Sequence, residues 1–95
     1  MLMTITGREK VSSLVASTGL TASNIPQGGL PVAVVQAIGG DVRFTVNGTT
    51  PVAATTGQKL LDGNFVELTG KELDDFLAID DGGTAVLEVV FGLKR

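Results

Sequence analysis

The chain of 95 residues has no cysteine, no histidine, no tryptophan and no tyrosine. Each absence removes a class of function. Without cysteine there is neither a disulfide framework nor a thiolate metal site. Without histidine or cysteine, the nucleophilic triads that rely on an imidazole base or a thiol have no members. Without tryptophan or tyrosine, the flat amphipathic rings on which sugars stack are missing, and the four phenylalanines supply the only aromatic surface. Charge is also sparse: 18% of residues are charged, the net charge is −3, and the seven Lys and Arg residues are scattered. Nucleic-acid binding needs a concentrated basic patch to neutralise phosphates, so we expect no nucleic-acid partner. No apolar run approaches the ~20 residues that cross a bilayer, so we expect no membrane partner. Met1 to Ile5 are followed by Arg8, Glu9 and Lys10, the reverse of the basic-then-apolar order of a signal peptide, and synthesis and retention in a cytoplasm are expected.

What is present is apolar and small. Val, Leu, Ile and Ala dominate a 43% hydrophobic content, and 13 glycines punctuate the chain. A chain this short holds one core, and about two thirds of its unfolded surface is buried on folding. So much apolar residue on so small a body implies that some of it is covered by other copies or by a partner, the alternative being a monomer with an unusually dense core.

Asp41 to Gly63 carries the clearest local grammar. Val42, Phe44 and Val46 alternate with Asp41, Arg43 and Thr45, the period of a half-buried strand. Asn47-Gly48 tolerates the positive φ of a turn, and Thr49, Thr50 and Pro51 lengthen it into a loop. Asn47-Gly48-Thr49 also fits the N-glycosylation pattern, but the turn chemistry of Asn-Gly accounts for it. Pro31 to Ile38 is a continuous run of β-branched and small residues between breakers and predicts a buried strand, paired as a hairpin with the Val42 strand across Gly39-Gly40. Two short strands, or one bent one, are expected around Asp62-Gly63, with Val66 and Leu68 facing one way and Phe65 and Glu67 the other. Leu73, Phe76 and Leu77 share the spacing of one helical turn within Lys71 to Leu77. Asp80 to Gly83 predicts a turn, and Thr84 to Phe91 a closing strand with Ala85, Leu87, Val89 and Phe91 inward. Val11 to Ala16 is expected to form a first edge strand, Ser17 to Gly29 a loop, and residues 1–10 an arm ahead of a single domain spanning 11–95. The fold class is therefore all-β, a small antiparallel β-sandwich or jelly-roll-like barrel with one short helical turn.

Groups able to do chemistry are few. Lys10, Ser12 and Ser13 form the one lysine-serine cluster, with nothing in the sequence to position it. Asp74-Asp75 and Asp80-Asp81 cluster oxygens as a glycosidase pair or a calcium site would, but they lack EF-hand spacing and suit a solvated helical turn and a loop turn. Gly28-Gly29 and Gly39-Gly40 precede no Lys-Ser/Thr helix start. We expect no catalysis, no cofactor and no metal.

One resemblance runs through nearly the whole chain. It rests on Val42-Arg43-Phe44, Asn47-Gly48-Thr49, Pro51-Val52-Ala53, Gly57, Leu60 and Gly63, on Ser17 to Pro26 (STGLTASNIP), on Leu73 to Ile79 (LDDFLAI) and on Ala85 to Phe91 (AVLEVVF). Together they resemble a family of small phage virion proteins of the head decoration or capsid cement type. The resemblance implies a β-sandwich at the capsid surface of a virion, made in the host cytoplasm, with the major capsid protein and further copies of itself, as a homotrimer, for partners. Leu77 stands where the family often has a basic residue and Phe91 where it commonly has tyrosine, so polar contacts of those positions do not transfer. The contact residues expected are Met1, Leu2, Ile5, Arg8 and Lys10 of the arm, Leu20, Ile25 and Pro26 of the loop, and Val86 and Val90 on the outer side of the last strand. The rival functions are a small carbohydrate-binding module on a tail or cell surface, and a neck or tail component. Removing residues 1–10 is expected, on this sequence reading, to leave a folded domain whose attachment is weakened.

Overall fold

Two nine-residue strands organise the protein, and both owe their length to uninterrupted β-forming sequence. In the computed structural model, which describes residues 3–12, 14, 16–53, 55–81 and 84–94, they are β2 (Leu30–Ile38) and β7 (Val86–Lys94). They pair antiparallel over nine positions, from Leu30 opposite Lys94 to Ile38 opposite Val86. The remaining strands are β1 (Met3–Val11), β3 (Val42–Thr45), β4 (Gln58–Leu60), β5 (Phe65–Thr69) and β6 (Leu77–Asp80). They form two antiparallel sheets, one of four strands in the order β1-β7-β2-β5 and one of three in the order β4-β3-β6.

Alternation along each strand creates the core. Ala33, Val35 and Ala37 of β2, Leu87, Val89 and Phe91 of β7 and Leu68 of β5 meet Val42 and Phe44 of β3, Leu60 of β4 and Ala78 of β6. A single helical turn, α1 (Glu72–Asp75), closes the core with Leu73, and Phe76 follows it against Phe44 with ring centroids 5.8 Å apart. Both Leu73 and Phe76 are 1% exposed, so the expected helical turn and its apolar payload are in place. Leu77, expected on the same helical face, instead starts β6 opposite Thr45. A four-residue strand immediately after a helical turn leaves too little periodicity for sequence reading to separate them.

Gly39-Gly40 does turn the chain, but not into a β2–β3 hairpin. Both edges of β2 are occupied, by β7 and β5, so β3 crosses to the second sheet and pairs with β4 and β6. The crossing is fixed by Asp62, whose Oδ1 accepts from the Gly39 N–H at 3.0 Å, while the Asp62 N–H donates to Asp41 Oδ1 at 2.8 Å. β4 and β5 are likewise two strands in different sheets, separated by a turn with Gly63 at φ +86°. The segment from Val46 to Gly57 is the long loop expected from Asn47-Gly48. Asn47 Oδ1 accepts from the Thr49 N–H at 3.1 Å, and Val52 and Thr56 form a small bridge. Gly57 closes it at φ +111°, where a Cβ would lie 2.9 Å from the Phe44 carbonyl oxygen, so only glycine fits.

The N-terminal segment is the main correction. Residues 3–11 are not an arm but β1, paired with β7 at eight positions from Met3 opposite Lys94 to Val11 opposite Leu87, with a bulge between Ile5 and Gly7. Charge at Arg8, Glu9 and Lys10 hides the strand from sequence reading, although an edge strand tolerates such charges. The strand expected over 11–16 ends at Val11; Ser13 and Val15 lie outside the described residues, as do Gly82 and Gly83 of the last turn. Beyond it the chain crosses to the three-stranded sheet, where the Leu14 carbonyl accepts from the Asp80 N–H and Thr18 exchanges two hydrogen bonds of 2.9 Å with Ala78. The loop then returns over β1, with the Glu9 carboxylate accepting from the Thr21 N–H and hydroxyl.

Deleting residues 1–10 therefore removes seven of the eight β1–β7 pairs. At about 1 kcal/mol net per ladder hydrogen bond, the loss approaches the ~5–15 kcal/mol that holds a small domain together. Thermal scans by circular dichroism should show no cooperative transition in the truncated protein; a sharp, reversible melt would show that β1 is dispensable. Phe76→Ala, which empties the α1 end of the core, should cost about 3–5 kcal/mol in urea unfolding.

Candidate functional site on the outer face of the four-stranded sheet

The register of the four-stranded sheet assigns a second, outward set of side chains. Reading across β1, β7, β2 and β5, one row is Lys10, Glu88, Gln36 and Phe65, and the next is Arg8, Val90, Val34 and Glu67. A third row is Ile5, Gly92, Val32 and Thr69, with Val86 opposite Ile38 at one end and Lys94 opposite Leu30 at the other. An antiparallel sheet with one wet face ordinarily makes that face polar. Here its two central strands carry Val86 and Val90, and Leu30, Val32, Val34 and Ile38, on the outside.

Several of these side chains stand in solvent. Phe65 is 68% exposed, Ile5 57%, Leu30 45% and Ile38 37%. Val34, Val86 and Val90 are half-buried, and Val32 is fully buried although it lies on the outer face. Charge frames the apolar strip on both sides. Arg8 and Lys10 occupy the β1 border and Glu67 the β5 border, all exposed, with Glu88 between.

Five of the ten contact residues expected from sequence are brought together here: Ile5, Arg8 and Lys10 on β1, and Val86 and Val90 on β7. Met1 and Leu2 lie outside the described residues. Leu20 and Ile25 lie elsewhere, partly buried against the core, which the loop reaches because Thr18 is bonded to β6 and Thr21 to Glu9. Pro26, beside them, is half-buried. Sequence reading missed Leu30, Val34, Ile38, Phe65 and Glu67. The available signal was the apolar run of β2, whose unbroken character means that both of its faces are apolar.

The acidic clusters are occupied by side-chain cations. Asp81 Oδ2 lies 3.4 Å from Arg43 Nε and 3.8 Å from Lys59 Nζ, and Lys59 also reaches Asp41 at 3.5 Å. Arg43 Nε is buried without a hydrogen-bond acceptor in good geometry, so the Asp81 charge is what compensates it; Arg43 Nη1 donates to the Gly57 carbonyl at 3.2 Å. Asp75 pairs with Lys71 at 2.9 Å, and this hydrogen bond and charge raise the Lys71 ammonium above its ordinary pKa of 10.5. On the Lys71 side the pair is therefore intact at neutral pH and is lost as pH rises through the raised pKa. Among the described residues no cluster of three or more acidic side chains is arranged to hold a metal. An open cavity of about 410 Å³ sits between the end of β3 and the 46–57 loop, and its walls, running from Phe44 to Gln58, carry no charged group. Thr45, on that wall, gives its hydroxyl hydrogen to the Thr49 carbonyl.

No family model, curated protein or solved structure matches this chain at a significant level.

The two faces of β2 and β7 should separate cleanly in mutation. Val35→Ala, on the inner face, should cost about 2 kcal/mol through cavity formation, while Val34→Ser, next to it on the outer face, should stay within about 0.5 kcal/mol. Urea midpoints at unchanged slope measure both. Asp81→Ala, which leaves the Arg43 guanidinium without its counter-charge, should cost about 1–3 kcal/mol by the same assay.

Proposed function

We propose that this chain is a structural protein of a phage virion, of the head decoration or cement type, that acts by adhesion rather than by chemistry. The observation that carries the proposal is the outer face of the four-stranded sheet, an apolar strip with charged borders. The motif resemblance from Ser17 to Phe91 supports the virion setting. Full burial of a side chain such as Phe65 or Ile5 contributes about 1.5–3 kcal/mol. A few such residues per copy, repeated over a shell, stabilise whichever assembled state presents the complementary surface, by mass action.

The experiment is attachment. Particles of the phage encoding the chain should contain it in fixed ratio to the major capsid protein, and the recombinant protein should co-sediment with heads from which it is missing. Val90→Glu together with Ile5→Glu should abolish co-sedimentation while leaving the melting transition in place. A folded protein absent from particles and failing to sediment with heads would overturn the proposal, and binding on a glycan array in its place would favour the carbohydrate-binding rival.

A further inference from the structure

We infer that the outer face of the four-stranded sheet is the contact between two copies of this chain, related by a two-fold axis that runs parallel to the strands between β7 and β2. The inference goes beyond the virion reading and does not depend on it: it concerns the purified protein, and because both use this face, attachment to a shell would displace the second copy.

The charges select the axis. Arg8 and Glu67 lie on the same cross-strand row, at opposite borders of the sheet. Three strand spacings of ~4.8 Å put them roughly 14 Å apart, too far to meet within one copy. A two-fold axis along the strands exchanges β1 with β5 and β7 with β2. It sets Arg8 of each copy over Glu67 of the other, Val90 over Val34, and Val86 over Ile38. Lys10 comes over the ring of Phe65, a favourable cation–π arrangement. Glu88 faces Gln36, Lys94 faces Leu30, and no position meets its own charge. The other in-plane axis, perpendicular to the strands, places Arg8 on Arg8 when it passes through the middle row of the face, so like charges oppose the centred arrangement. The pattern thus favours a two-fold pair over the trimer expected from sequence.

Face contact also suits the edges. β1 is interrupted by its bulge, carries Arg8 and Lys10, and is held from outside by Thr21; β5 is five residues long and carries Glu67. Bulges, charges and short strands discourage edge-to-edge pairing. Two facing sheets pack about 10 Å apart with their strands within about 30° of each other, which keeps each row near its counterpart.

The size of the face sets the strength. Four strands at ~4.8 Å and about eight residues at ~3.3 Å give roughly 500 Å² per copy, or about 1,000 Å² for the pair. That is the lower end for specific association, so the dimer should form in the micromolar range rather than the nanomolar.

Sedimentation-velocity measurements across a concentration series test the inference with charge-reversed variants. The wild type should be a reversible dimer that weakens as salt is raised. Arg8→Glu alone and Glu67→Arg alone should each weaken it about tenfold or more, since two attractive pairs become repulsive. Mixing the two single variants should restore association to near wild type, and so should the double exchange R8E/E67R. A misfolded variant would show neither rescue. A wild-type protein that stays monomeric at high concentration, a trimer, or single reversals without effect would overturn the inference. Head co-sedimentation of a monomeric wild type would leave the virion reading standing while this one fell.

Discussion

The nine-position ladder between β2 and β7 is the contact from which the other elements take their places, because each of these strands is bonded along both edges and apolar on both faces. β1 can form only against the free edge of β7, and β5 only against that of β2. With both edges of β2 taken, the chain leaving Ile38 has no partner in that sheet. It crosses to begin the second, and Asp62 holds that crossing and the return from β4 to β5 together. The inner faces of the ladder supply Ala33, Val35, Leu87, Val89 and Phe91, the larger part of the core wall contributed by the four-stranded sheet.

The two faces of the ladder meet different surroundings. The inner face meets the three-stranded sheet and α1 and stabilises the monomer. The outer face is only partly covered: Val32 is buried, while Ile5, Leu30, Ile38 and Phe65 remain exposed at a hydrophobic cost. The core and the exposed apolar strip thus share a backbone while resting on different side chains, which alternate along the same strands. A one-residue slip of β2 or β7 would exchange the two sets, so the buried inner face also holds the outer pattern in register.

Several carboxylates are part of the scaffold. Asp81 compensates Arg43 and Lys59, Asp41 and Asp62 secure the crossings, Glu9 holds the loop at Thr21, and Glu72 accepts from the Thr69 N–H ahead of α1. Carboxylates engaged in this way have their oxygens directed at backbone donors or cations. The charged side chains exposed on the outer face, Arg8, Lys10, Glu67, Glu88 and Lys94, are spread in rows and not gathered into a pocket.

Composition and alternation by themselves determined much of this protein. They specify an all-β chain with its strongest strands near Pro31 to Ile38 and Thr84 to Phe91, the inward residues of the last strand, the facing of Phe65 and Glu67 away from Val66 and Leu68, the Asn47-Gly48 turn and the helical turn with Leu73 and Phe76. These are local matters, decided by side-chain period and turn chemistry. Tertiary structure decided the rest. That residues 3–11 are a strand depended on the open edge of β7, which lies some eighty residues away in the chain; that β2 and β3 part company depended on which edges were already filled. The same holds for the outer face: Ile5, Val90, Val34 and Phe65 come from four separate segments, and only the inter-strand register, which local sequence does not encode, lays them side by side.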